Sequence, residues 1–214
     1  MGILSKRAAK YYFLHGLKLS AVSIGSILCV GFVWTLSMFG VDDWNERVIR
    51  MVLQFTRYIV PYLNLCYSLY SPSWHDSMVL SMGARRKDIF YGNIIKQSVF
   101  ALINVLFFGL IALISGQTGI VEQAAMITCM SLFGGAFGLY MGHKVKKYGR
   151  VVMMAACFIF IIFYMGTSLL YIVDGGFMAK IETYKQVLIA GAVILFGVME
   201  VLIYRVNKKS MVVL

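Results

Sequence analysis

Charge is scarce in this chain of 214 residues: Asp, Glu, Lys and Arg make up 14% of it, against 60% hydrophobic residues. Soluble domains carry about 25% charged residues, so a soluble globular class is excluded and a membrane protein is indicated. The four cysteines, Cys29, Cys66, Cys129 and Cys157, all fall inside apolar runs with no CxxC pair, which speaks against a disulfide framework and a zinc site. The three histidines, His15, His75 and His143, stand alone without H-x-x-x-H spacing, so no metal site is expected. No phosphate-binding G-x-x-x-x-G-K-[ST] occurs; the chain lacks the usual means of holding ATP, and it carries no cofactor of its own. Neither a G-x-S-x-G elbow nor an H-E-x-x-H pair appears, so no enzyme activity is read from it. No A-x-A-like cleavage site follows the first apolar run, which is therefore expected to be retained.

What is present is apolar length. Mean hydropathy is +0.80, and a helix needs roughly 20 apolar residues to cross the hydrocarbon. Six windows qualify: Ala21–Phe39, Met51–Leu69, Gln97–Ser115, Val121–Met141, Val151–Val173 and Val187–Tyr204. The expected fold is an all-α membrane protein with six transmembrane helices. Residues 1–20 form a candidate interfacial helix, because Lys6, Arg7, Lys10 and Lys18 gather on one face at helical spacing, although Phe13 and Leu17 share it. Residues 21–214 make one membrane domain, with a connecting segment at 70–97.

Net charge is +11, and its distribution gives direction. Fifteen of the twenty cations lie on one set of ends: Lys6, Arg7, Lys10, Lys18, Arg85, Arg86, Lys87, Lys96, Lys144, Lys146, Lys147, Arg150, Arg205, Lys208 and Lys209. Short cytoplasmic loops collect Lys and Arg, so both termini are expected in the cytoplasm of a multi-pass membrane protein. Clusters of this kind between apolar runs do not make a nucleic-acid face. They do predict contact with anionic membrane lipids.

The longest cytoplasmic connection, Tyr70–Lys96, is punctuated. Ser73 with Asp76 three residues on resembles a capping box. Trp74, Met78 and Met82 fall on one side of the short helix that follows, and Gly83 suits a helix end at positive φ. A second helix is expected to start near Arg86 or Lys87 and to continue into the third span. Cations at its N-terminus oppose the helix dipole, so Arg85, Arg86 and Lys87 serve either as topology signals or as a docking corner for a soluble partner.

Inside the spans three features stand out. Gly134, Gly138 and Gly142 recur every four residues, a spacing that lets helices approach closely within the subunit or against a second one. Gln54, Arg57, Tyr58, Pro61, Asn64 and Ser68 form a polar stripe that either faces a water-filled path or hydrogen-bonds to neighbouring helices. Arg57 lies about 9 Å below the outer edge, within reach of snorkelling outward. Glu200 lies about 20 Å from that edge, where it must face protein, pair with a cation such as Lys18, Lys96 or Arg205, or be protonated.

The run "MVLSMGARRKDIFYGNII" resembles the segment between the second and third spans of the permease subunits of bacterial ABC exporters of the second type. Val79, Leu80, Ser81, Gly83, Ala84, Arg85, Arg86, Asp88, Ile89 and Gly92 carry the pattern. The family's Glu-Arg-Gly-Thr lead-in is replaced here by Pro72-Ser-Trp-His-Asp-Ser77. The resemblance implies that this segment is a coupling helix, with Trp74, Met78, Met82, Gly83, Arg85, Arg86 and Asp88 contacting a separate ATP-binding cassette subunit that binds ATP and Mg. It also implies a second permease subunit, a path lined by the second and fifth spans, and export of amphipathic or antimicrobial peptides or other hydrophobic compounds. The alternatives are a secondary transporter or channel that works without an ATPase, and a membrane sensor or scaffold subunit that transports nothing.

Overall fold

The computed structural model describes residues 3–39, 44–149, 151, 158 and 185–209. Among these the structure is entirely helical: α1 (Ile3–Phe39), α2 (Trp44–Tyr70), α3 (His75–Ser81), α4 (Arg86–Ile114), α5 (Ile120–Tyr148) and α6 (Lys185–Lys209).

α1 is one continuous helix of 37 residues, about 55 Å long at 1.5 Å per residue. That exceeds the ~30 Å hydrocarbon layer. The division expected at residue 20 is no break in the helix; Ser20 lies inside it, its hydroxyl donating to the Gly16 carbonyl at 2.9 Å. Thr35 does the same to Gly31 at 2.7 Å, so these two buried hydroxyls are satisfied within their own helix.

Among the described residues four helices are long and apolar enough to cross a membrane: Lys6–Leu36, Arg86–Ile114, Ile120–Val145 and Ile189–Val206. Six were expected. α2 has the length, at 27 residues, but its polar stripe and its cations lower its hydropathy. The window Val151–Val173 and residues 174–184 lie outside the described residues, apart from positions 151 and 158.

The core lies where α1, α2, α4 and α5 meet. Ile27, Val52, Leu53, Val60, Phe100, Phe108, Ala112 and Ile127 are buried together there. α6 packs on α5 through Ala136, Leu139 and Ile203. α1 and α4 run in parallel, with Tyr12 against Gly92 and Gly16 against the Lys96 carbonyl.

The glycine ladder settles on α2. A Cβ on Gly134 would stand 2.9 Å from the Pro61 carbonyl oxygen, and Cβ atoms on Gly138 and Gly142 would meet the carbonyl oxygens of Leu65 and Leu69. Three residues spaced by four on α5 thus face three spaced by four on α2, running in the same direction. The contact is within the chain, and only glycine permits it at this separation.

Candidate functional site

The segment between α2 and α4 folds largely as its sequence indicates. α4 begins at Arg86. Gly83 has φ +86, a region that costs an L-residue with a Cβ roughly 1–2 kcal/mol. Asp88, in the first turn of α4, accepts the backbone N–H of Arg85 at 3.1 Å; its carboxylate offsets at the helix start the unfavourable field that the neighbouring cations meet.

The start of α3 differs from expectation. Its N-cap is Trp74, and no side chain caps it. Asp76 is turned inward, 4% exposed, and is taken up by a buried network instead. The Tyr12 hydroxyl of α1 donates to Asp76 Oδ1 at 2.7 Å. Asn93 Nδ2 of α4 donates to both carboxylate oxygens, at 3.0 and 3.2 Å. The Ser71 hydroxyl lies 2.9 Å from Asn93 Oδ1 and 3.3 Å from Asp76 Oδ1, and it accepts from Lys96 Nζ at 2.9 Å. Lys96, Asn93 and Tyr12 are each almost wholly buried. A buried carboxylate is tolerated when its oxygens are hydrogen-bonded and a counter-charge is near, and here Lys96 supplies the counter-charge through Ser71.

Beside this network the Tyr11 hydroxyl is hydrogen-bonded to His75 Nδ1 at 3.2 Å, and the His15 and His75 rings lie 4.1 Å apart at 49°. Burial holds the His75 pKa below its ordinary 6.5, and the charge of Lys96 lowers it further against the opposing pull of Asp76. The imidazole is thereby kept neutral.

The other side of α3 is open. Trp74 is 75% exposed, and Met78 and Met82 are exposed with it. Arg85 and Lys87 are exposed at the adjoining corner, while Arg86 is half-buried and donates from Nη1 to the Lys208 carbonyl at 3.2 Å. Arg86 therefore ties the start of α4 to the last turn of α6. α3 presents two faces: Asp76 and Val79 are held inward, and an apolar ridge flanked by cations points out.

The polar stripe of α2 is occupied by neighbouring helices along much of its length. Arg57 donates from Nη2 to Gln123 Oε1 of α5 at 2.6 Å, with its guanidinium 6.0 Å from the centre of the Phe108 ring. Asn64 is buried and donates to the carbonyl and hydroxyl oxygens of Ser131 at 2.8 and 3.1 Å. Ser68, also buried, stands 3.5 Å from Gln97 Nε2 of α4. Gln54 and Tyr58 are half-buried on the same helix. Glu200 is half-buried on α6, and among the described residues neither of its oxygens has a hydrogen-bond partner. Lys96, one of the cations expected for it, is held by Ser71 instead.

Sequence reasoning missed Tyr12, Ser71 and Asn93, and took Lys96 for a rim cation. One signal was available. Asn93 and Lys96 lie three apart, on one face of a helix whose remaining length is largely apolar and beside Gly92, and polar residues so placed call for buried partners. Comparison with family models, with curated proteins and with solved structures finds no match to this chain.

Proposed function

We propose that this chain is the transmembrane subunit of an ATP-driven exporter of the bacterial plasma membrane, with both termini in the cytoplasm and α3 as the element that docks a separate ATP-binding cassette subunit. The observation that carries the reading is the two-faced α3: Trp74, Met78 and Met82 outward on a helix whose inner face is bound to α1 and α4. Exposed apolar side chains rimmed by polar residues mark a protein interaction surface, and Arg85 and Lys87 give that surface a positive edge suited to an acidic groove. The resemblance of residues 78–95 to the coupling segment of type-two ABC permeases names the partner. In this reading ATP and Mg sit on the cassette subunit, a second permease subunit completes the path, and the cargo is an amphipathic peptide or another hydrophobic compound.

The test is reconstitution with the cassette ATPase encoded nearest to this chain. Wild type is expected to co-elute with it and to stimulate its ATP hydrolysis, and Trp74→Ser/Arg85→Glu to lose both while the chain stays folded. Arg86 is left intact because it holds α6. If no cassette subunit binds, or if the double variant binds and stimulates as wild type does, the reading fails and a transporter working without an ATPase takes its place.

A further inference from the structure

We infer that Asp76 is a positioning residue that welds α3 to α1 and α4 through Tyr12, Asn93, Ser71 and Lys96, so that a thrust on the outer face of α3 moves those two helices with it. The inference rests on the reading of α3 as a docking element.

α3 has seven residues, too few to be stable alone. Its apolar footing is small: Val79 packs with Ala8, Tyr12 and Ile89. Such a patch resists separation but permits rolling and sliding, whereas hydrogen bonds to a buried anion hold one register. Asp76 receives donors from α1 (Tyr12), from α4 (Asn93) and from the turn that follows α2 (Ser71). Lys96 lies one helical turn beyond Asn93 and closes the network with the balancing charge. α1 and α4 are themselves fitted together at this level, since a Cβ on Gly92 would enter the Tyr12 ring and one on Gly16 would stand 2.9 Å from the Lys96 carbonyl oxygen. The Tyr12 ring thus rests on α4 while its hydroxyl holds α3. α3 has no seating of its own and moves with the α1–α4 pair.

The experiment compares wild type, Tyr12→Phe and Asp76→Asn/Lys96→Met, each as the full chain in lipid nanodiscs. Tyr12→Phe keeps the ring on Gly92 and removes one donor. The double variant removes both buried charges together, which protects folding, and it places an amide N–H against Asn93 Nδ2 where the carboxylate accepted. In the chain alone, amide exchange in α3 is expected to rise about tenfold or more in both variants, the factor set by losing a charge-assisted hydrogen bond, with α4 beyond residue 97 unchanged. With the cassette ATPase present, the double variant is expected to bind normally yet lose stimulation of hydrolysis, a split that a merely structural role would not produce. Unchanged exchange in α3 overturns the weld, and full stimulation with a loosened α3 overturns its part in transmission. If wild type binds no cassette subunit, the docking reading falls separately and the exchange comparison decides the weld by itself.

Discussion

Adding one methyl group at Gly138 tests the α2–α5 contact most directly. The new Cβ would meet the Leu65 carbonyl oxygen, with Leu65 C at 3.0 Å and Cα at 3.1 Å. All three are backbone atoms, so no rotamer change relieves the clash and α5 must back away from α2 along the ladder. Forced overpacking of this kind costs about 1–3 kcal/mol, and backbone obstruction puts it at the upper end. Alanine recovers about 0.8–1 kcal/mol of helix propensity relative to glycine, which leaves a net loss of about 2 kcal/mol for Gly138→Ala. Gly109 supplies the control, because no described atom lies within 4 Å of its added Cβ. Gly109→Ala therefore gains the propensity without the clash, and the same chemical change at the two sites should differ by about 3 kcal/mol. Reversible SDS unfolding of the purified chain in mixed micelles, followed by far-UV circular dichroism, reads that difference. If Gly138→Ala is as stable as Gly109→Ala, the α2–α5 register described above is wrong. Adding Gly142→Ala should cost less than its single-variant value, since the two sites share one interface and α5 has already moved.

Asn64→Leu should destabilise the chain by about 0.6–1.7 kcal/mol in the same assay, the range for interhelical hydrogen bonds in membranes; an unchanged midpoint would detach Asn64 from Ser131. Gly83→Ala should lose about 1–2 kcal/mol from positive φ alone, because its Cβ meets no described atom within 4 Å; no loss would mean that the turn relaxes to negative φ. Stability should also depend on pH through His75. The unfolded chain binds a proton there near 6.5 and the folded chain only at lower pH, so stability is complete above about pH 7 and falls as pH drops through 6.5 toward the folded value. Thermal midpoints measured across that window should fall for wild type and fall less for His75→Gln; equal slopes would remove His75 from the effect.

Much of the architecture follows from local pattern. The turn at Gly83, the start of α4 at Arg86 and the outward row of Trp74, Met78 and Met82 are all legible in the sequence, because a helical period and a glycine at a helix end are properties of a few adjacent residues. The ladder of Gly134, Gly138 and Gly142 likewise announced a close helix contact, without naming its partner. The second apolar window was legible as a helix, whereas its polarity makes sense only once Arg57, Asn64 and Ser68 are seen against Gln123, Ser131 and Gln97.

The sequence by itself determined that this is a helical membrane protein with an apolar ridge at the connection and a glycine face ready for a neighbour. Only the tertiary structure decided which face of α3 is anchored. Asp76 and Ser73 have the spacing of a local cap, yet Tyr12, 64 positions away, and Asn93, 17 positions away, take the carboxylate. The reason is desolvation. Once α1 and α4 close over this position, a carboxylate spent on an exposed helix end would leave the Tyr12 hydroxyl and the Asn93 amide buried without an acceptor and the buried Lys96 ammonium without its counter-charge, and that cost exceeds the value of one cap. Which long-range donors converge on a point depends on the register between helices, and that register exists only in the packed molecule.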